Sequence, residues 1–96
     1  MTTAQAILAQ LGGNRFLAMT GAKDLISSAT GLTMRLPKAR NRATHIRVTL
    51  TPNDLYTVTT LRCTVKEHRT IETAAEIGCE QLPAAFERLT GLMTRL

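Results

Sequence analysis

Aromatic side chains are scarce in this sequence, which contains no tryptophan, one tyrosine and two phenylalanines. A core built from this composition must be largely aliphatic. The scarcity also argues against a surface that stacks nucleic-acid bases on several rings, because only Tyr56 lies near the basic residues described below. Any contact with nucleic acid is therefore expected at the phosphate backbone.

Cysteines and long apolar runs are also sparse. Cys63 and Cys79 are the only two cysteines. The first residues, M-T-T-A-Q-A-I-L-A-Q-L, have no basic stretch before the apolar ones and no cleavage site, so they do not predict a secretory signal. No run approaches the ~18 apolar residues of a membrane span. We therefore expect a cytoplasmic protein with reduced thiols and no membrane contact.

Length and composition predict one domain over residues 1–96. A chain of 96 residues with 44% hydrophobic content suits a globular core rather than disorder. Nine of its sixteen threonines lie between 44 and 73, where they favour strands because Thr is β-branched. We predict a single α+β domain, in which an antiparallel β-sheet of about four to five strands is flanked by an N-terminal and a C-terminal helix.

Apolar residues spaced by three and four positions predict a helix at each end of the chain. A hydroxyl of Thr2 or Thr3 would cap the first helix, and Gly12-Gly13 would end it. Pro83 fits the first turn of the last helix, which we expect to pack on the sheet. The two apolar stripes comprise Ala4, Ile7, Leu8 and Leu11, and Leu82, Phe86, Leu89, Met93 and Leu96.

Alternating apolar and polar residues predict the strands. The apolar stretch 15–20 predicts a further, buried strand, and 24–30 fits either a turn or a short helix. Apolar residues change parity at Thr59-Thr60, where a bulge would switch the register. Pro52-Asn53-Asp54 predicts the turn of a hairpin, and we find no internal repeat. The alternating strands are predicted over 32–36, 44–51, 55–66 and 71–77.

Positive charge is concentrated in one part of the chain, whose net charge is +5. Residues 1–66 hold nine cations and two acids, whereas residues 67–96 hold three cations and five acids. The segment 35–47, R-L-P-K-A-R-N-R-A-T-H-I-R, contains five cations, one histidine and no acid. We predict a loop over 38–43 that presents cations to an anionic surface. The alternative is a solvated loop whose charge only aids solubility.

The predicted binding surface would contact nucleic acid or the acidic face of a protein partner. Its cations would neutralise phosphates and release counterions, so that affinity falls steeply with salt. The predicted contact residues are Arg35, Lys38, Arg40, Arg42 and Arg47, with Arg62 extending the patch along the hairpin.

Motifs for cofactors and metals are incomplete. The segment 19–24, M-T-G-A-K-D, places a glycine before a lysine, as a phosphate loop does, but Asp24 stands where Ser or Thr would hold magnesium. Cys63, His68 and Cys79 lack the close pairing of zinc ligands, and a fourth ligand is missing. We predict no cofactor and no metal.

Catalytic constellations are equally incomplete. Ser27 or Ser28 would have to act with one of the two histidines, but no linked triad is suggested. Glu72 and Glu76 would lie roughly 13 Å apart along a strand, at ~3.3 Å per residue, which is too far for a close carboxylate pair. We therefore expect a binding protein that is not an enzyme.

Three separated blocks of this sequence resemble, in the same order, a group of short uncharacterised proteins encoded by tailed phages, prophages and integrated mobile elements. The blocks are L-G-G-N-R-F-L-A-M-T-G-A-K-D-L (11–25), H-I-R-V-T-L-T-P-N-D-L-Y-T-V (45–58) and T-G-L-M-T-R-L (90–96). The resemblance implies a mobile-element origin and a place in the cytoplasm of a bacterial host cell. It further implies an accessory role, either nucleic-acid handling or inhibition of a host defence complex.

Two functions from different classes follow. The first is a non-enzymatic basic protein that contacts nucleic acid or a host nucleoprotein complex through the 35–47 region. The alternative is a protein-binding inhibitor of a host defence complex, of the anti-CRISPR or another anti-defence type. A virion component is a third interpretation. Homodimer formation stays open, because threonine-rich edge strands can pair across a two-fold axis.

Overall fold

The computed structural model of the chain describes residues 2–36 and 43–92. The five strands form one antiparallel sheet in the order β1-β2-β3-β4-β5. The predicted α+β class, with a helix near each end of the chain, is confirmed. The elements are α1 (Thr3–Leu11), α2 (Asn14–Thr20), β1 (Lys23–Ser27), β2 (Gly31–Arg35), β3 (His45–Leu50), β4 (Tyr56–Cys63), β5 (His68–Ile77), a 3₁₀ turn (Cys79–Gln81) and α3 (Leu82–Thr90).

The first helix begins and ends as its sequence predicts. The Thr2 hydroxyl oxygen accepts a hydrogen bond from the Gln5 amide at 3.1 Å, and the Thr2 amide donates to Gln5 Oε1 at 2.9 Å. This reciprocal pair satisfies two amides that the first turn leaves without partners. Gly12 ends α1 with a φ of 125°, a conformation open to glycine because it has no Cβ. Within the described ranges, no helix is both long and apolar enough to span a membrane.

Alternation gives the three central strands one buried face. In the middle of β2, β3 and β4 each buried residue is followed by a more exposed one, and the register places the buried residues beside one another across the strands. The helices cover this face, so the side chains between the two layers form the core. The strand residues of the core are Leu32, Met34, Ile46, Val48, Tyr56 and Val58.

The helices from the two ends of the chain meet over the sheet. The rings of Phe16 in α2 and Phe86 in α3 are both at most 1% exposed. Their centroids lie 4.9 Å apart at an interplanar angle of 73°, an edge-to-face contact favoured by the ring quadrupoles. Leu82 and Leu89 are buried on the same side of α3, which confirms the described part of the predicted C-terminal stripe.

The segment 15–20 is the place where the strand prediction is wrong. It belongs to α2, in which Phe16 and Thr20 are the two buried residues, four positions apart. A short apolar run does not distinguish a strand from a buried helical turn, which explains the error. The segment 24–30, expected as a turn or short helix, instead contributes most of β1 and the turn that follows it.

A repeated helix ending accompanies α2 and α3. In each, a threonine hydroxyl donates to the carbonyl of the phenylalanine four residues earlier, at 2.8 Å. The same oxygen accepts the amide two residues later, from Ala22 or Leu92, at 3.2 Å. A left-handed glycine follows each threonine. The shared pattern F-x-x-x-T-G is visible in the sequence at 16–21 and 86–91. It is a short local repeat that the sequence analysis did not predict.

Irregular pairing is confined to the two outer strands. Between Lys23 and Ile26, β1 carries one more residue than β2 opposite it, and Asp24 there has a φ of 53°. Near its end, β5 carries an extra residue opposite β4, and Glu76 there has a φ of 58°. A second irregularity lies across from the step Thr60 to Leu61, where the extra residue also belongs to β5. The parity of β4 therefore does not switch at Thr59-Thr60.

Gly31 lies where β2 approaches β3 too closely for a side chain. A Cβ at this position would stand 2.3 Å from the carbonyl oxygen of Val48. We expect Gly31→Ala to lower the free energy of unfolding by about 2–3 kcal/mol, because backbone must move to admit the methyl group. Urea denaturation of Gly78→Ala is the matched control, since a Cβ there meets only the Gln81 side chain at 3.7 Å. Equal stability of the two variants would contradict this assignment.

The threonines of the repeated helix ending make a second stability prediction. We expect Thr20→Val and Thr90→Val each to cost about 1–3 kcal/mol, since valine keeps the shape but leaves amide and carbonyl groups without the hydroxyl. Thr20→Ser and Thr90→Ser retain the hydroxyl and should lose less. Thermal or urea unfolding of the four variants measures this, and valine variants as stable as the serine variants would refute it.

Candidate nucleic-acid interface

One face of the sheet carries no helix from the described part of the chain. The alternation that sends apolar residues towards the helices sends their neighbours to this open face. It is rich in threonine and holds two arginines and a histidine. The open face of β2, β3 and β4 comprises Thr33, Arg35, His45, Arg47, Thr49, Thr57, Thr59 and Leu61.

Arg35 and Arg47 lie on neighbouring strands of the open face. Arg35 pairs with His45 across β2 and β3, and Arg47 follows His45 by two residues on the same face. Both arginines are exposed. Arg35 Nη1 lies 3.8 Å from Asp24 Oδ2, and both of those side chains are more than half exposed, so this ion pair is weak and open to exchange. The structure thus brings together two of the predicted contact residues.

Three predicted contact residues, Lys38, Arg40 and Arg42, lie outside the described residues. Their segment, 37–42, joins Leu36 to Ala43. The Leu36 amide donates to the Thr44 carbonyl at 2.8 Å. The described residues that flank the segment therefore belong to the same end of the sheet as Arg35 and His45.

Arg62 stands apart from the other predicted contact residues. It shares the parity of the buried Val58 and Thr60, which is opposite to that of Arg35 and Arg47. Its Nε donates to Glu67 Oε1 at 3.0 Å, and Glu67 Oε2 lies 3.8 Å from Arg69 Nε. Arg62 is therefore partly neutralised and does not extend the open-face patch.

Charge is also divided between the two ends of the sheet. The register brings Lys23, Arg35 and His45 to one end, which is also where β4 passes into β5 through Lys66. We call this the basic end. The opposite end holds the turns after β3 and β5, whose described acids are Asp54, Glu76 and Glu80. The basic end also holds two acids, Asp24 and Glu67, each in contact with an arginine. Its described cations outnumber these acids, and this excess would orient an anionic partner.

A depression of about 680 Å³ opens at the basic end. Its size lies within the range of sites that hold small ligands. It contains cationic or titratable side chains from β2, β3 and β5 together with two hydroxyl groups. The residues lining this terminal depression are Arg35, Thr44, His45, Cys63, Thr64, Val65 and His68.

The Thr44 hydroxyl holds this depression together. It accepts a hydrogen bond from the Cys63 amide at 2.8 Å and lies 2.8 Å from His45 Nδ1. The Cys63 carbonyl lies 3.4 Å from the same oxygen. Thr44 thus fixes the start of β3 to the end of β4 and orients the His45 ring. Sequence analysis missed this role, although a threonine next to a histidine at the start of a strand was a visible signal.

No aromatic ring of the chain is available to stack on a base. Phe16, Phe86 and Tyr56 are its only aromatic residues, and all are buried. Tyr56 faces the helices rather than the open face. Burial raises the pKa of the Tyr56 phenol above 10.0, with smaller contributions from Cys79 and Asp54. The phenol therefore stays neutral, and contact with nucleic acid would depend on cations and hydroxyls.

The residues considered for a zinc site and for a serine–histidine catalytic site lie at opposite ends of the sheet. Cys63 pairs with His68 across β4 and β5, whereas Cys79 lies at the opposite end of the sheet. The described residues contain no group of three or more side chains suited to a metal ion. The Ser28 hydroxyl accepts the Gly31 amide at 3.0 Å in the turn after β1, far from the histidines at the basic end.

The segment 19–24 does not have the geometry of a phosphate loop. Such a loop leads from a strand into the N-terminus of a helix, whose amides hold the phosphate. Here the chain runs the other way, from the end of α2 at Thr20 into β1 at Lys23. The segment is a helix-to-strand turn, in agreement with the incomplete motif.

We expect Thr44→Val to loosen the terminal depression. Valine keeps the shape of the side chain but removes the acceptor of the Cys63 amide and the partner of His45 Nδ1, at a cost of about 1–3 kcal/mol. The His45 ring resonances should broaden or shift in NMR spectra, while those of His68 change less. Thr44→Ser is the control. If Thr44→Val left both the stability and the His45 resonances unchanged, the role given to this hydroxyl would be wrong.

Comparison with known proteins gives no family for this chain. No protein-family model matches it, and no curated protein or solved structure matches it either. The mobile-element resemblance of the three sequence blocks therefore stays a prediction.

Proposed function

We propose that this protein binds nucleic acid by contacting its phosphate backbone with the basic end of the open face. The observation that carries the proposal is the exposure of Arg35 and Arg47 on one face, at the end where segment 37–42 joins the sheet. The acids Asp54, Glu76 and Glu80 lie at the opposite end of the sheet. Of the acids at the basic end, Asp24 makes only an exposed 3.8 Å pair with Arg35, and Glu67 binds Arg62 and Arg69.

Chemistry favours the backbone as the contacted part of the nucleic acid. Arginine binds phosphate with two or more directed N–H groups, and threonine hydroxyls donate to the same oxygens. Thr33 and Thr59 flank Arg47 on the neighbouring strands, so the arginine lies within a row of hydroxyl groups. With every aromatic ring buried, base stacking does not compete with these contacts. We therefore expect weak sequence preference and strong dependence on salt.

A matched pair of double variants tests the contact surface. We expect Arg35→Gln with Arg47→Gln to weaken binding to duplex DNA by about tenfold or more, and to reduce the salt slope by about two, at about 0.9 per lost phosphate contact. Arg15→Gln with Arg88→Gln removes the same charge from exposed positions on α2 and α3 and should have little effect. Fluorescence anisotropy at several salt concentrations measures both quantities.

The outcome separates local contact from net charge. Equal losses in the two double variants would mean that only the total charge matters, and the open face would not be the contact surface. Charge reversal of Lys38, Arg40 and Arg42 to Glu extends the test to segment 37–42. If the unaltered protein bound neither duplex, single-stranded DNA nor RNA at low salt, the proposal would be wrong. A partner retained from a nuclease-treated host lysate would then favour the protein-inhibitor alternative.

A further inference from the structure

We propose that the terminal depression is a phosphate-binding site whose affinity rises when His45 and His68 gain protons. This inference rests on the proposed function in one respect: it takes nucleic acid as the source of the phosphate. Free phosphate anion presents the same chemistry, and the experiment distinguishes the two sources.

His45 is arranged to donate towards an anion when its ring is protonated. Both ring nitrogens are then donors, and Nδ1–H donates to the Thr44 oxygen at 2.8 Å. The Thr44 hydroxyl in turn donates to the Cys63 carbonyl at 3.4 Å. Protonation therefore leaves no group of this cluster without a partner, and Nε2–H is the donor that an anion can use.

Two further side chains in the depression, Thr64 and His68, have hydrogen-bond donors that no described residue accepts. The Thr64 oxygen accepts the amides of Lys66 and Glu67 at 3.3 Å and 3.1 Å, so its own hydrogen is left for another acceptor. His68 is exposed and has no hydrogen bond or ion pair with the described residues. A phosphate seated here would thus be offered donors from three strands and a turn, which a threefold acceptor such as a phosphoryl group can use.

Arg35 supplies permanent charge to the site. Its guanidinium is bound only by the exposed carboxylate of Asp24 at 3.8 Å among the described residues. A phosphate would compete with Asp24 for this guanidinium and would also gain the neighbouring histidine, which Asp24 does not share in the observed contacts. Replacement of Asp24 by the phosphate at the Arg35 guanidinium is therefore favoured when His45 is positively charged.

The charge of the depression changes with pH near neutrality through its histidines. Near neutral pH, carboxylates and guanidiniums keep their charge, and histidine is the side chain that changes. Lowering the pH therefore adds positive charge alone. The charged and titratable groups that line the site are Arg35 on β2, His45 on β3, Cys63 on β4 and His68 on β5. The charged groups next to it are Lys23 and Asp24 on β1, Lys66 and Glu67 in the turn after β4, and Arg62 and Arg69, which Glu67 binds on the other side of the sheet.

The first arm measures duplex DNA binding at pH about 8 and about 5.5, where a phosphodiester keeps one negative charge throughout. We expect binding about tenfold tighter at the lower pH, with a salt slope steeper by about one for each histidine that meets a phosphate. His45→Gln with His68→Gln removes both histidines of the chain and should abolish this dependence, so that the affinities at the two pH values become equal.

The second arm uses inorganic phosphate, with chloride at matched ionic strength as the control. In ¹⁵N-resolved NMR spectra we expect phosphate to shift the amides of Thr44, Cys63 and Thr64. Thr49 and Thr57, at the other end of the same face, should stay unchanged. Arg35→Gln, an exposed substitution that should leave folding intact, should weaken these shifts.

Each combination of results decides the inference. Duplex binding with histidine-dependent tightening at low pH supports it, with nucleic acid as the source. Duplex binding whose pH profile is unchanged in the double histidine variant overturns it and leaves the proposed function standing. Phosphate shifts confined to the depression without duplex binding would support the site with free phosphate as ligand and end the proposed function. Neither binding nor shifts would end both.

Discussion

The edge-to-face contact between Phe16 and Phe86 closes the helical layer on which the rest of the structure depends. Three strands with alternating apolar residues cannot leave their buried face in water, and no single helix within residues 2–36 and 43–92 is long enough to cover it. The cover is assembled from both ends of the sequence, and the two rings are where those ends meet. Because the helices are all used on one side, the open face is left for other contacts.

The sequence carries most of the information for this arrangement. Alternation in 32–36 and 44–51 and the cap at Thr2 each reflect a local rule, so the central strands and the first helix were predictable. Helix α2 was not, because its seven residues are too few for periodicity and its decisive contact is with Phe86, seventy positions away. The site shows the same division. The abundance of cations was visible in the sequence, but their grouping required the register, which joins Arg35 to His45 and sends Arg62 to the other side.

The face of the sheet on which an arginine lies affects whether a carboxylate neutralises its charge. Arg47 on one face of the sheet is exposed to solvent, whereas Arg62, of the opposite parity, is bound by Glu67. Net charge alone therefore describes this protein poorly. Among the described residues, Glu67 compensates Arg62 and Arg69, whereas Arg35 borders the terminal depression together with hydroxyl groups and histidines.

The extra residues in β1 and β5 have a consequence for how copies of this protein meet. A regular outer strand offers a template on which another chain can add, and such growth has no natural end. Asp24 and Glu76 interrupt that template on both sides, each with a backbone turned out of the extended conformation and an acidic side chain. The irregular edges therefore discourage extension of the sheet in both directions, and we expect them to oppose fibre-like association of this threonine-rich protein.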